Sequence, residues 1–244
     1  MFTRRRCLAG SCAALLAARA AEGQDAFAAP RERMVRDIEH LVSVTAAYTG
    51  RGTLSANVLV AMRKVPRHRF VPPEQAGDAY ADRPLPIGAG QTISQPFMVA
   101  LMTDLAEPKK SDVVLEVGTG SGYQAAVLAE CVARVHTIEI VRSLGERAAA
   151  LLQELGYSSV RTRIGDGYGG WPEAAPFDAI VVTAAPDHVP QPLVDQLKPG
   201  GRMVIPIGVQ LGAQDLQVIE KARDGRTIRR NTLPVRFVPL TRGR

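Results

Sequence analysis

Three glycines at alternate positions follow an apolar run in the segment LEVGTGSGYQ, residues 115–124. Gly118, Gly120 and Gly122 permit a tight turn and allow a ligand to approach the backbone closely. Glu116 lies two residues before the first of them. In open α/β folds, ligands bind at loops of this kind, which lie at the carboxyl ends of strands. The segment therefore predicts a site for a nucleotide-like cofactor.

The residues that follow distinguish between possible cofactors. The dinucleotide fingerprint G-x-G-x-x-G requires a glycine at the sixth position from Gly118, and Tyr123 stands there. Glu139 ends the next predicted strand, where a carboxylate can accept hydrogen bonds from both ribose hydroxyls. Asp166, which precedes Gly167, ends a third strand and can reach an adenine amino group. The combination favours S-adenosylmethionine over NAD and predicts a class I methyltransferase.

An alternation of predicted strands and helices positions these residues. Continuous apolar runs typical of buried parallel strands lie at 112–118, 134–140, 160–166, 177–185 and 201–208. Helical patterns lie between them, at 123–132, 141–156 and 189–200. Helices are also predicted at 31–48, at 54–64 and after Pro96, and a hairpin around Asp224 and Gly225. We expect an α/β fold with a doubly wound, mostly parallel, Rossmann-like sheet, helices on both faces, an N-terminal helical cap and antiparallel C-terminal edge strands.

A stretch rich in proline and glycine, residues 66–96, interrupts the N-terminal helical region. It is too irregular for a core element, and long loops of this kind are usually functional or disordered. Beyond residue 30 the sequence contains no internal repeat and no low-complexity linker. We therefore expect residues 31–244 to form a single domain.

Composition and charge limit the class of protein. A chain of 244 residues that is 46% hydrophobic can form one sizeable core, and no segment has the roughly 18 uninterrupted apolar residues of a membrane span. Three cysteines and four histidines show no metal-ligand spacing, so we expect no metal site. The net charge is +6, but residues 1–29 carry +2 and residues 221–244 carry +7, which leaves −3 on the rest. We therefore expect a monomer that binds neither nucleic acid nor membranes, with a solvated basic tail.

Residues 1–30 have the layout of a secretory signal. Consecutive arginines at 4–6 precede a short apolar stretch and an A-x-A-like AFA, as in twin-arginine signals. The alternative is a disordered, non-native extension before a start at Met34. Because S-adenosylmethionine is made in the cytoplasm, we expect a cytoplasmic enzyme, with export to the periplasm as the alternative. Residues 1–33 are expected to be dispensable for folding and catalysis.

Five longer segments carry a family resemblance. They are VPRHRFVP, AYADRPLPIGAGQTISQPFMVALMTDL, VLEVGTGSGYQAAVLA, GDGYGGWPEAAPFDAIVVTAAP and VPQPLVDQLKPGGRMVIPIG. Together they resemble protein-L-isoaspartate O-methyltransferases, over about residues 34–241. The resemblance implies a repair enzyme that methylates the α-carboxyl group of L-isoaspartyl residues in damaged proteins and peptides, initiating repair through a succinimide.

The resemblance also implies site residues. Ser94, in GQTISQP, is implied as the catalytic residue. The expected cofactor-binding residues are Thr92, Ile93, Ser94, Glu116, Gly118, Gly120, Ser121, Gly122, Glu139, Asp166 and Gly167. Two alternatives stay open: Ser94 could only cap the helix after Pro96, and Arg83 could pair with the substrate or be an ordinary surface residue.

Other functions compete with this one. The main alternative is a methyltransferase that acts on a small molecule or on RNA, for which the basic tail is the best support. An NAD-dependent reductase is disfavoured by Tyr123 in the glycine loop, and a non-catalytic module that retains the cofactor is a further possibility.

Overall fold

The computed structural model describes residues 25–209 and 212–242. The strands are β1 (Leu85–Gly88), β2 (Gln91–Ile93), β3 (Val113–Val117), β4 (Arg134–Glu139), β5 (Val160–Ile164), β6 (Phe177–Val182), β7 (Leu197–Gly208), β8 (Gln214–Lys221) and β9 (Thr227–Val235). In these described ranges, β1 and β2 form a separate hairpin, and the other strands form a seven-stranded sheet in the order β5-β4-β3-β6-β7-β8-β9.

The strand directions follow the predicted plan. Neighbours from β5 to β7 are parallel, and β8 and β9 continue the sheet antiparallel to β7 and to each other. The turn between β8 and β9 contains Gly225 with a φ of +86°, in the left-handed region that the Asp-Gly pair predicts. The mostly parallel sheet with antiparallel C-terminal edge strands is confirmed.

Helices cover both faces of this sheet. They are α1 (Ala28–Val44), α2 (Ala46–Thr49), α3 (Ala56–Lys64), α4 (Pro96–Leu105), α5 (Tyr123–Cys131), α6 (Arg142–Glu154) and α7 (Gln191–Asp195). Val114 packs into a cluster formed with α1 and with α3 to α6, whereas its neighbour Leu115 packs into a second cluster with Leu193 of α7. This alternation is the period of two that a strand buried on both faces requires. None of the helices in the described part of the chain is long and apolar enough to cross a membrane.

The helix predicted over residues 189–200 is too long. The structure has a helix only over Gln191–Asp195, and Leu197 already pairs with Phe177 in the sheet. Gly200 has a φ of +84°, which a helix does not permit. Sheet pairing therefore takes over before the predicted end of the helix.

The expectation that residues 66–96 contain no core element is wrong. They form 3₁₀ turns at Arg67–Phe70 and Pro73–Asp78, followed by the β1–β2 hairpin. Arg67 and Leu85 are fully buried there. These elements are hard to predict from the sequence because their buried residues lie in short turns rich in proline and glycine, which show no hydrophobic periodicity.

The domain boundary predicted at residue 30 falls inside α1. Helix α1 begins at Ala28, and the Phe27 ring stacks on the His68 ring with centroids 4.0 Å apart. Asp25 forms an ion pair with Arg31 at 2.8 Å. Residues 25–30 thus contact the domain. Residues 1–24 of the expected extension lie outside the described residues, and the assignment as a signal stays a prediction.

Candidate active site

The glycine loop joins β3 to α5 at the carboxyl edge of the parallel strands. Gly118, Gly120 and Gly122 have φ values of +100°, +54° and +90°, which side chains rarely adopt. A Cβ at Gly118 would lie 2.5 Å from Thr183 Oγ1, and one at Gly122 would lie 3.3 Å from α6. A Cβ at Gly120 would have no atom nearer than Ile87, at 3.5 Å. Two of the glycines are therefore required by protein packing as well, and Gly120 forms the open side of the loop.

Glu139, the expected ribose ligand, ends β4 beneath the glycine loop. Its Oε2 accepts the Gly120 N–H at 2.7 Å, and its Oε1 accepts the Val141 N–H at 2.9 Å. The residue is only 6% exposed. Because an ionised carboxylate offers about four acceptor positions, two remain for ligand hydroxyls. The acid thus holds the loop in place and can still bind a ribose.

Glu116 is completely buried below the same loop. Neither carboxyl oxygen has a hydrogen-bond partner among the described residues, and the Thr137 hydroxyl pairs with the Thr119 hydroxyl at 2.6 Å instead. Burial raises the pKa of Glu116 to about 8; the nearby Thr137 hydroxyl partly offsets the rise, and the Glu139 charge adds to it. Glu116 is therefore mostly protonated at neutral pH in the protein alone, and it can ionise when a positively charged ligand lies above it.

A cleft opens above these residues. Its lining includes most of the residues expected to bind the cofactor: Thr92, Ile93, Ser94, Glu116, Gly118, Gly120, Ser121, Glu139 and Gly167. Within the described chain, Glu116 and Glu139 are the only Asp, Glu, Lys, Arg or His residues that line this cleft. The open glycine backbone and the Glu139 carboxylate fit a nucleoside with two ribose hydroxyls. We call this cavity the cofactor cleft.

Two of the expected cofactor residues do not line the cofactor cleft. Gly122 packs against Ala148 and Leu152 of α6. Asp166 accepts the Tyr168 N–H at 2.9 Å and begins a 3₁₀ turn. Their assignment as cofactor ligands stays a prediction.

The β1–β2 hairpin lies over the glycine loop. Ile87 of β1 is the neighbour of Gly120, and its carbonyl accepts a hydrogen bond from Arg147 Nη2 of α6 at 2.6 Å. Thr92 and Ile93 of β2 line the cofactor cleft. The hairpin of the Pro/Gly-rich stretch therefore covers one side of the cofactor cleft.

Two parts of the site were not predicted from the sequence. Thr183 directly follows β6, and its hydroxyl donates to the Gly118 carbonyl at 2.7 Å. The C-terminal residues 238–241 run beside it, where Ala185 exchanges backbone hydrogen bonds of 2.8 Å with Val238 and Leu240. A polar residue after the apolar run FDAIVV is the only signal that could have identified Thr183. No local pattern indicates the C-terminal segment.

A second cavity, of about 1160 Å³, adjoins the cofactor cleft. The residues that line both cavities are Thr92, Ser94, Thr183, Val238 and Pro239. Among the described residues that line this second cavity, Arg236 alone is charged. We call it the substrate cavity. Ser94 therefore lies where the two cavities meet.

The alternative role of Ser94 as a helix cap is wrong. Helix α4 begins at Pro96 with Gln95 as its N-cap residue, and the Phe97 N–H donates to Asp82 Oδ1 at 2.7 Å. The Ser94 carbonyl is hydrogen-bonded, but its hydroxyl has no partner among the described residues. The hydroxyl is therefore available to donate to a ligand.

Arg83 is an ordinary surface residue, which was one of the two predicted alternatives for it. It forms an ion pair with Asp78 at 2.7 Å, with both side chains more than half exposed, and it lines neither cavity. In the described ranges, no three His, Cys, Asp or Glu side chains come together as a metal site would require.

Comparisons with known proteins agree with this geometry. Residues 39–244 match the family model of protein-L-isoaspartate(D-aspartate) O-methyltransferases. The chain is 56% identical over 219 residues to protein-L-isoaspartate O-methyltransferase 2 of Syntrophobacter fumaroxidans, covering 90% of this chain and 89% of that protein.

Solved structures give the same result. One solved protein-L-isoaspartate O-methyltransferase is 30% identical to this chain, with a TM-score of 0.74. The match covers 86% of this chain and 65% of that protein, so this chain spans about two thirds of that protein's length. A Plasmodium falciparum protein shares the fold, at 24% identity and with a TM-score of 0.71, over 87% of this chain and 99% of that one. It is described as a putative protein-L-isoaspartate O-methyltransferase in complex with S-adenosyl-L-homocysteine. The chain belongs to the protein-L-isoaspartate(D-aspartate) O-methyltransferase family.

Proposed function

We propose that this protein transfers a methyl group from S-adenosylmethionine to the α-carboxyl group of L-isoaspartyl residues in damaged proteins and peptides, which initiates their repair through a succinimide. The observation that carries the proposal is the position of Ser94, with an unpaired hydroxyl, at the junction of an acidic cofactor cleft and a larger cavity. Relatives more than half identical to the chain are named for this activity, which favours it over a small molecule or RNA as substrate.

The cofactor cleft suits the proposed methyl donor. We expect Gly120 and Ser121 to hold it through the loop backbone and Glu139 to accept its ribose hydroxyls. When bound, S-adenosylmethionine supplies a methyl group that its sulfonium already activates. An α-carboxylate is ionised at neutral pH, since its pKa is about 3.5, so the protein needs no strong base to prepare the acceptor.

The remaining task of the protein is orientation. Ser94 donates a hydrogen bond to the accepting carboxylate and holds it at the mouth of the cofactor cleft. We expect the β1–β2 hairpin and residues 238–241, which line the junction, to shield it from water. Holding two reactants in a productive geometry can contribute about 7–11 kcal/mol to the lowering of the barrier.

The substrate cavity suits a polypeptide better than a small molecule. Its volume of about 1160 Å³ exceeds the roughly 300–1,000 Å³ of typical small-molecule pockets. Gln214 fixes one wall, since its side chain accepts the Phe237 N–H at 2.6 Å and donates to the Phe237 carbonyl at 3.2 Å. This bonding holds the neighbouring Arg236 at the cavity. We propose that Arg236 attracts the free α-carboxylate of an isoaspartyl residue.

A labelled methyl group tests the proposed function. The purified protein is incubated with S-adenosylmethionine carrying a radioactive methyl group and an isoaspartyl peptide, beside the same peptide with normal aspartate. We expect base-labile label on the isoaspartyl peptide alone. Equal labelling of both peptides, or none on either, would contradict the proposal.

We further propose that the enzyme is a monomer and that it works in the cytoplasm, where its methyl donor is made. Support for the location is the chemistry of the cofactor alone, since the signal-like arginines lie outside the described residues. Cell fractionation with an antibody tests it, and a shortened form found only in the periplasm would establish export instead. Light scattering of the purified protein tests the monomer.

A further inference from the structure

Arg67 is a fully buried arginine that lies between the two halves of the site. Its Nε donates to the Ala79 carbonyl at 2.7 Å, and its Nη2 donates to the Ser94 carbonyl at 2.7 Å. The guanidinium carbon lies 4.7 Å from the centroid of the Tyr123 ring. Tyr123 is the first residue of α5, directly after the glycine loop. One side chain therefore contacts both the backbone of the catalytic serine and the start of the cofactor-loop helix.

Asp82 holds the same segment from the other side. Its Oδ1 accepts the Phe97 N–H at 2.7 Å, and its Oδ2 accepts a hydrogen bond from Gln95 Nε2 at 3.2 Å. Burial raises the pKa of Asp82, but the positive charge of Arg67 counteracts the rise. Arg67 thus fixes the carbonyl of Ser94 itself, and Asp82 fixes the start of the helix that follows it.

An arginine is suited to this position for a physical reason. Ser94 lies beyond the end of β2, so no ladder of sheet hydrogen bonds fixes its backbone. A guanidinium presents several donors in a rigid plane and can bind two carbonyls at once, whereas an ammonium is a compact point charge. Burial lowers the pKa of Arg67 only to about 10, so the group remains charged at neutral pH.

We propose that Arg67, together with Asp82, is a positioning residue that sets the backbone of Ser94 against the cofactor loop. The proposal rests on the proposed function, because it assigns Arg67 an effect on methyl transfer through Ser94. Arg67 contacts no substrate and lines neither cavity. Its removal should displace the Ser94 hydroxyl while leaving the Glu139 carboxylate in place.

The test compares Arg67→Met and Arg67→Lys with Arg31→Met. Arg31 is a matched control because it also contacts this region, through Tyr80 at 3.3 Å, but does not touch Ser94. We expect both Arg67 variants to lower kcat about 10- to 100-fold, as displacements near 1 Å do, with an unchanged Kd for S-adenosylmethionine. Arg31→Met should retain kcat. Asp82→Asn, which keeps the Phe97 acceptor but removes the charge, should lower kcat by a smaller factor.

A double-mutant cycle separates positioning from general destabilisation. In a Ser94→Ala background, Arg67→Met should change kcat less than about threefold, because the group it positions is gone. A loss of kcat as large as in the wild-type background would overturn the proposal, as would a wild-type kcat in Arg67→Met. A Ser94→Ala variant with wild-type kcat would overturn it as well.

Amide hydrogen exchange gives a readout that does not depend on activity. In Arg67→Met or Arg67→Lys, exchange over residues 91–95 should accelerate relative to Arg31→Met, while exchange over residues 113–117 should not change. Equal exchange over residues 91–95 in the variants and the control would refute the positioning role. If the wild type failed to methylate isoaspartyl peptides, the proposed function would fall, and exchange would still decide whether Arg67 fixes Ser94.

Discussion

The two cavities that meet at Ser94 carry opposite charge. In the described chain, the cofactor cleft is lined by the Glu139 carboxylate and by Glu116, which is mostly protonated in the protein alone, and the one charged residue that lines the substrate cavity is Arg236. The proposed ligands have the complementary charges, since a sulfonium is positive and the free α-carboxylate of an isoaspartyl residue is negative. On the proposed function, each cavity is matched to one reactant, and the two reactants meet at the neutral Ser94 hydroxyl.

The two cavities also differ in how they are held. The cofactor cleft is built on the ends of β3 and β4, where Glu139 binds two backbone N–H groups next to the glycine loop. The substrate cavity is bounded by parts of α4, β8 and β9 and by residues 236–239, where the Gln214 side chain fixes Phe237. Substitutions on the cofactor side should therefore affect binding and stability together, and those on the substrate side should affect substrate binding alone.

The largest effect is expected from Glu116→Gln, which should change how the free energy of unfolding depends on pH. The unfolded chain ionises Glu116 near pH 4.5, whereas the folded protein keeps it protonated up to about pH 8. The wild type therefore loses stability as the pH rises between these values, and the variant does not. Because one pKa unit corresponds to about 1.4 kcal/mol, we expect the variant without cofactor to be roughly 2–4 kcal/mol more stable at pH 8.

Urea denaturation from pH 4.5 to 8.5 measures this difference. Glu146→Gln is the control, because its carboxylate is exposed on α6. The gain in Glu116→Gln should shrink towards pH 4.5. A pH-independent difference between Glu116→Gln and the wild type would show that the buried carboxyl does not titrate as described.

Glu139→Ala should weaken cofactor binding next most strongly. A lost hydrogen bond to a charged group is worth about 1.5–3 kcal/mol, which corresponds to roughly 10- to 100-fold in Kd. Calorimetry with S-adenosylmethionine measures the change, and KM for the peptide at saturating cofactor should stay the same. An unchanged Kd in a folded Glu139→Ala protein would remove Glu139 from the ribose site.

Arg236→Gln should have the smallest effect, confined to the substrate side. Because Arg236 is exposed, we expect KM for an isoaspartyl peptide to rise roughly 3- to 5-fold, with kcat and cofactor affinity retained. The difference from the wild type should shrink in high salt. Arg229→Gln, an exposed arginine of β9 that lines neither cavity, is the control. Equal KM values for the two variants would argue against a role for Arg236.

Much of the fold and of the cofactor side follows from local sequence. Strands such as DVVLEVG are continuous apolar runs, and ligand groups of parallel sheets stand directly at strand ends, as Gly118 and Glu139 do. The pattern and the site therefore occupy the same short segments. The cofactor itself was predictable from the glycine spacing and the acid on the next strand.

The substrate side was harder to predict because long-range contacts build it. The cap of α4 comes from Asp82, 15 residues before the Phe97 N–H it binds, so the alternative prediction of a cap at Ser94 is wrong. Arg67 reaches Ser94 across 27 residues, and Thr183 reaches Gly118 across 65. Such pairs leave no periodic signal in a single sequence.

The transfer rate of Ser94→Ala tests the central claim, that the reaction takes place at the junction of the two cavities. We expect kcat/KM on an isoaspartyl peptide to fall on the order of 100-fold or more, because one preorganised donor is removed from the transition state. Melting temperature and the Kd for S-adenosylmethionine should stay close to wild type, since the hydroxyl caps no helix. A Ser94→Ala protein with wild-type kcat/KM would contradict the account.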